Sequence, residues 1–275
     1  MKFALCNEIF ADWDFAAAAA FAAGLGYEGL EIAPYTLAET VHELTPARRR
    51  ELKAIAGEAG LRITGLHWLL VKPEGLHIAH PEASVRLRTV DYLRALIDLC
   101  ADLGGTVLTF GSPKQRSLAP GLEPARGRQY ALESFAACGE AAASRGVILC
   151  LEALPPDLTN FLNTNAEVLA VVKEIDHPNI RMMVDVKSMC AEPIPLLENL
   201  RACQGFIRHV HANDANMRGP GFGAVDFRPL LAALVEMGYD GYVSVEVFDC
   251  TPDPETVASR SIAYMRSCLP RGVDA

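Results

Sequence analysis

The chain has 275 residues, 51% hydrophobic and 21% charged, with a net charge of −9. That is enough apolar material for one large core or two small ones, while the acidic balance and the lack of a basic block weigh against a nucleic-acid partner, which calls for a positive footprint. The apolar helical stretch DFAAAAAFAAGLG is too short to span a bilayer, and MKFALCNEIF lacks the long apolar run and cleavage site of a secretory signal, so a cytoplasmic protein without membrane contact is expected.

In chain order, KFALCNEIF opens as a strand and DWDFAAAAAFAAGLG follows as a helix, with Asp12 or Asp14 as N-cap. GLEIAP is the second strand and TPARRRELKAIAGEAG the second helix, its ARRRE run typical of an exposed face. LRITGLHWLL leads into PEASVRLRTVDYLRALIDLCADLGG, TVLTFGS into EPARGRQYALESFAACGEAAASRG, and VILCLEAL into NTNAEVLAVVKEID. IRMMVDV leads into AEPIPLLENLRACQG, FIRHVHAND into DFRPLLAALVEMG, and GYVSVEVF into DPETVASRSIAYMRSC. Many helices stop at a glycine, as at Gly26, Gly60, Gly104, Gly146 and Gly238, the usual C-terminal cap.

Apolar strands alternating with amphipathic helices call for a parallel sheet covered by helices. Eight such units fit a closed α/β barrel, the (β/α)8 or TIM barrel of about 250 residues, as a single domain over 1–275. An open doubly wound sheet is the alternative, but no GxGxxG follows the first strand. Three connections after strands are long, at 71–84, 112–124 and 212–225. Loops on that side of a barrel build the active face. The eight cysteines show no CxxC and several sit in apolar runs, which reads as buried reduced thiols in a reducing compartment.

Strands five to eight each end on an ionisable group: Glu152, Asp185, His211 and Glu246. By alternation each shares a face with the residue two before it, namely Cys150, Met183, His209 and Ser244. If those faces point inward, the four groups converge at one end of the barrel. Three carboxylates there repel unless a cation or a proton holds them. With one imidazole they suit a divalent metal ion, Mn2+ or Mg2+ first, with Co2+ or Zn2+ as further options. His211 is then a rim ligand. His209, one layer deeper, reads as an inward polar residue bonded to a neighbour, and Asn213 and Asp214 as groups that orient the ligands. Gly219, Gly221 and Gly223 allow either a tight loop over a substrate or a turn into the next helix.

This set of four, one per successive strand, resembles the xylose-isomerase-like sugar isomerase/epimerase superfamily, nearest the ketose 3-epimerases of the D-tagatose and D-psicose type. GFGAVDF after strand seven and the eight units carry the likeness over nearly the whole chain. The resemblance implies that Glu152, Asp185, His211 and Glu246 bind one ion. It also implies that Glu152 and Glu246 stand on opposite faces of a small sugar or keto-sugar as an acid–base pair, acting through an enediolate. It implies as well a homo-oligomer, a dimer or tetramer. The chain departs from those enzymes at Ser188, where they carry His, at Ala153 to Asp157, where they carry an Asn-Arg-x-x-Glu type segment, and at Arg218, which sits one residue late for their arginine.

His67, at the end of strand three, is expected at the substrate, or else packed beneath the lid loop. Lys187 either meets substrate oxygens or starts a helix at the surface, and Lys114 points into the mouth or into solvent. Arg218 is the remaining substrate-binding candidate. Glu8 and Glu31, near the ends of the first two strands, are open, and Lys72, Glu74 and His77 lie in a loop placed to close over the site. Alternatives to an epimerase are a dehydratase of a keto-inositol or other cyclic keto-sugar, a nuclease on the same barrel, and a non-catalytic binding protein.

Overall fold

The computed structural model describes residues 1–272. In chain order the elements are β1 (Lys2–Cys6), α1 (Phe15–Leu25), β2 (Gly29–Ile32), α2 (Pro46–Glu58), β3 (Arg62–Leu66), α3 (Ala83–Leu103) and β4 (Val107–Phe110). There follow α4 (Pro124–Ala136), α5 (Gly139–Arg145), β5 (Ile148–Leu151), α6 (Asn165–Ile175), β6 (Ile180–Asp185) and α7 (Val186–Cys190). The chain then runs through α8 (Leu196–Ala202), β7 (Ile207–Ala212), α9 (Phe227–Glu236), β8 (Tyr242–Val245) and α10 (Pro254–Ser267). The eight strands are all parallel and pair in sequence order, β8 closing on β1. This is the expected TIM barrel.

Local chemistry sets the boundaries. Asp14, the second of the two candidate caps, accepts from Ala16 N and Ala17 N to start α1, and Gly26 ends it in the left-handed region at φ +90°. Thr164 and Glu167 form a reciprocal capping box on α6. The main core lies between the barrel and its helices, with Leu30, Leu93, Leu108 and Val184 wholly buried. Each such side chain contributes about 1.5–3 kcal/mol. Inside the barrel a separate small cluster of Val107, Cys150 and Met183 fills the space below the polar face. Neighbouring strands set Met183 beside His209, Asp185 beside His211 and His211 beside Ser244, so the inward alternation read from the sequence holds.

Two helical expectations change. The stretch 123–146 is two helices, interrupted after Ala136; at Gly139 a Cβ would lie 2.8 Å from the His177 ring, so glycine allows the close approach there. The segment 191–205 forms only α8, because Pro193 and Pro195 delay its start. All eight cysteines are unpaired, and six are buried. Among the described residues no helix is long and apolar enough to cross a membrane.

Candidate active site

Strand ends five to eight converge. Glu152 follows β5, Asp185 ends β6, His211 lies in β7 and Glu246 follows β8, and all four are buried. One ligand atom each from Glu152, Asp185 and His211 lies within 4.8 Å of the other two. Glu246 adjoins this triplet through His211, its Oε2 lying 3.1 Å from His211 Nδ1. Asn213 ties the set together: Nδ2 donates to Asp185 Oδ2 at 2.6 Å and reaches Glu246 Oε2 at 3.5 Å, while Oδ1 accepts from Lys187 N at 2.8 Å. The other Asp185 oxygen accepts from Ser188 N at 2.7 Å and caps α7. Gly111 makes room for Glu152, since a Cβ there would collide with its carboxylate.

Burial pushes the Glu152 carboxyl up to about 8, with Asp185 and Glu246 adding repulsion. Burial also raises Glu246; His211 opposes the rise and Asp185 adds to it. For His211, burial disfavours the charged ring, but the Glu246 and Glu31 carboxylates outweigh it and hold the imidazole well above its usual range. This cluster fits a divalent cation. Its carboxylates crowd a buried space, and His211 Nδ1 has no hydrogen-bond partner despite the nearby Glu246 oxygen. A set rich in carboxylate oxygen with one imidazole nitrogen suits a hard or borderline metal ion.

A second polar group lies deeper. Glu31 is wholly buried and accepts from His209 Nε2 at 2.6 Å, from His211 Nε2 at 3.2 Å and from Thr109 Oγ1 at 3.1 Å. Burial alone would raise its carboxyl; the two histidines instead hold it well below the usual carboxylate range. His209 therefore has the buried neighbour its position called for, and Glu31, open in the sequence, is that neighbour. His67 lines the pocket but turns Nε2 onto Glu8 Oε2 at 2.6 Å, and its unpartnered Nδ1 lies 4.0 Å from Glu31 Oε1.

A pocket opens over these groups. Trp68, Leu154, Leu158 and Phe248 supply apolar surface in its lining, and Ser188 and Lys187 also line it, the Lys187 Nζ standing 5.3 Å from the centre of the Phe248 ring. Lys114 is exposed and does not line the pocket. Arg218 also lies outside the lining; it stacks on Phe222 and donates to the Thr251 carbonyl. His77 faces Ser117 O with Nε2 at 2.9 Å and accepts from Ala79 N, which pins the 71–84 loop to the loop after β4, and Lys72 pairs with Glu39. Asp214 braces the glycine loop, accepting from Ala224 N and Val225 N, instead of orienting the acidic cluster. A Cβ at Gly219 or Gly221 would strike Ser261 or Tyr264 of α10, so this loop packs against a helix and not across the pocket.

Sequence reading missed Arg116. It is wholly buried and donates to the carbonyls of Gly111, Glu152 and Phe110 at 2.7, 2.7 and 2.9 Å. Burial lowers its guanidinium to about 10, and Glu152 works against that drop.

Residues 19–268 match the family described as "Xylose isomerase-like TIM barrel". The chain belongs to this family. Among its relatives, the D-psicose 3-epimerase of Ruminiclostridium cellulolyticum is 27% identical over 230 residues, 82% of this chain and 75% of that protein. The 3-dehydro-D-guloside 4-epimerase of Escherichia coli is 25% identical over 261 residues, 89% of this chain and 91% of that one. Among solved structures, D-psicose 3-epimerase with D-tagatose from Clostridium cellulolyticum H10 superposes with a TM-score of 0.85 at 22% identity, covering 98% of this chain and 99% of that one. That likeness repeats the fold. As a xylose isomerase-like barrel whose named relatives are epimerases, the chain is an enzyme of the isomerase and epimerase class.

Proposed function

We propose that the protein is a divalent-metal-dependent sugar epimerase, acting by proton transfer at a carbon next to a carbonyl, in the manner of a ketose 3-epimerase. Glu152, Asp185, His211 and Glu246 hold the ion, Mn2+ before Mg2+, Co2+ or Zn2+. The observation that carries this reading is the convergence of buried Glu152, Asp185 and His211, with Glu246 beside them, under an open pocket. The epimerase relatives support it, and they do not favour the dehydratase alternative. The eight unpaired cysteines support a cytoplasmic setting.

When bound, the cation supplies a Lewis acid that stabilises negative charge developing on the substrate's oxygens. Glu152 and Glu246 leave strands three apart around the barrel, and each carries a carboxyl raised by burial. One removes the proton from one face of the sugar carbon and the other returns a proton to the opposite face, which inverts that carbon. Asn213 holds Asp185 and Glu246 in fixed orientation. Trp68, Leu158 and Phe248 receive the apolar CH surface of the sugar and exclude water, and Lys187 meets its outer oxygens. His67 shapes the wall of the pocket, with Nε2 engaged by Glu8.

The test is a screen of free ketoses and cyclic keto-sugars in deuterated water with Mn2+, Mg2+ or Co2+. Deuterium entering one carbon beside the carbonyl, with an isomeric sugar as product, is expected. An enone or dione product, or metal-free protein with undiminished exchange, would overturn the reading.

A further inference from the structure

One buried carboxylate sits behind the proposed ion site without belonging to the proposed acid–base pair. Glu31, on β2, is wholly buried and meets donors from three other strands: Cys6 Sγ on β1 at 3.6 Å, Thr109 Oγ1 on β4 at 3.1 Å, and His209 and His211 on β7. His211 Nε2 lies 3.2 Å from each Glu31 oxygen, so it faces the middle of the carboxylate. The shorter bond from His209, at 2.6 Å to Oε2, keeps that carboxylate from turning away. An ionised carboxylate only accepts. Both imidazoles must therefore keep a proton on Nε2. The far nitrogen of His211, Nδ1, has no hydrogen-bond partner and lies 3.1 Å from Glu246 Oε2.

We propose that Glu31 is a positioning residue that locks His211 with its proton on Nε2 and so reserves Nδ1 for the cation. The tautomer half of this stands on the hydrogen bonds alone; the cation half rests on the metal reading above. A carboxylate behind a ligating histidine fixes the ring and raises its basicity, and losing such a partner typically weakens metal affinity about 10–100-fold. Glu31→Gln tests the lock with little change of volume. Because both Glu31 oxygens stand equally close to His211 Nε2, an amide NH2 in either place meets that nitrogen. The amide oxygen and the NH2 then both stand within reach of Nε2, so the ring is no longer obliged to donate there and the lock on its tautomer is lost.

The experiment uses the protein with 15N-labelled histidine, first stripped of metal and then titrated with Zn2+ as a diamagnetic probe, reading two-bond 1H–15N correlations. Wild type at alkaline pH is expected to show His211 with its proton on Nε2, and Zn2+ is expected to perturb Nδ1. Glu31→Gln is expected to populate the Nδ1–H form beside the Nε2–H form and to bind Mn2+ about 10–100-fold more weakly by calorimetry, with a native circular-dichroism spectrum. An Nδ1–H ring in wild type, or Zn2+ acting on Nε2, would overturn the proposal. So would a folded Glu31→Gln that keeps both wild-type Mn2+ affinity and the Nε2 proton. If Glu31→Gln does not fold, the wild-type spectra decide. If wild type takes up no ion, the metal reading fails, while the metal-free spectra still judge the tautomer.

Discussion

Arg116 Nη1 donates to the backbone carbonyl of Glu152 at 2.7 Å, so a buried cation holds the strand end that carries a proposed catalytic carboxylate. The same guanidinium holds Phe110 O and Gly111 O, tying the ends of β4 and β5 together. Replacing it with Met leaves three buried carbonyls without these donors. Arg116→Met is expected to lower the unfolding free energy by about 3–5 kcal/mol, read as a fall in the urea midpoint at constant slope. Arg116→Lys should recover little of this, because an ammonium cannot reproduce the planar fork.

The Gly111 backbone lies against the Glu152 carboxylate. In Gly111→Ala the new methyl group and that carboxylate compete for one space, and the flexible side chain yields. Expected is a fall in kcat/KM of at least about 10-fold, equivalent to about 1.4 kcal/mol, with the melting temperature close to wild type. A variant as active as wild type would show that Glu152 tolerates displacement.

Glu152→Gln and Glu246→Gln are each expected to abolish turnover with the fold intact. Either amide keeps the shape of the carboxyl but cannot move the proton. Solvent deuterium exchange provides the finer reading, because a two-face mechanism predicts that a single variant can still exchange at one face while failing to invert. Near wild-type turnover in both variants would end the assignment of the acid–base pair.

The metal-free protein should lose stability as pH rises from 7 to 8. Glu152 lies near 8, and the His67 and His211 rings are held well above their usual range. Each therefore holds more proton in the folded chain than in the unfolded one. By linkage, stability falls with rising pH wherever the folded state binds the extra protons. Saturating Mn2+ should remove the part of that slope due to Glu152 and His211. Ion binding at pH 7 should release protons, seen as a calorimetric heat that depends on the buffer's ionisation enthalpy.

The acidic cluster was legible because strand alternation is rigid: once β5 to β8 are placed, Cys150 and Glu152, or Met183 and Asp185, must share a face. Glu31 was not, since its partners His209 and His211 lie 178 and 180 residues away and only barrel closure brings them together. Arg116 was hidden for another reason. It sits in the polar run SPKQRS, where a charged residue reads as exposed, and only the paired ends of β4 and β5 supply the carbonyls that take it inside. The close approach of Gly139 to the His177 ring, and the turn of Arg218 outward toward Thr251, both involve residues distant in sequence and so are not visible from local pattern.

Glu152, Asp185, His211 and Glu246 all come from β5 to β8, whereas Trp68, Ser112 and Pro113 of the pocket wall follow β3 and β4. The loops after β3 and β4 are stitched to each other through His77 and Ser117, so they form a unit. That unit is a natural place for swapping segments between relatives: exchanging both loops together, with Gly111 and Arg116 kept because they hold Glu152, would rebuild one wall of the pocket while leaving the proposed acid–base pair in place.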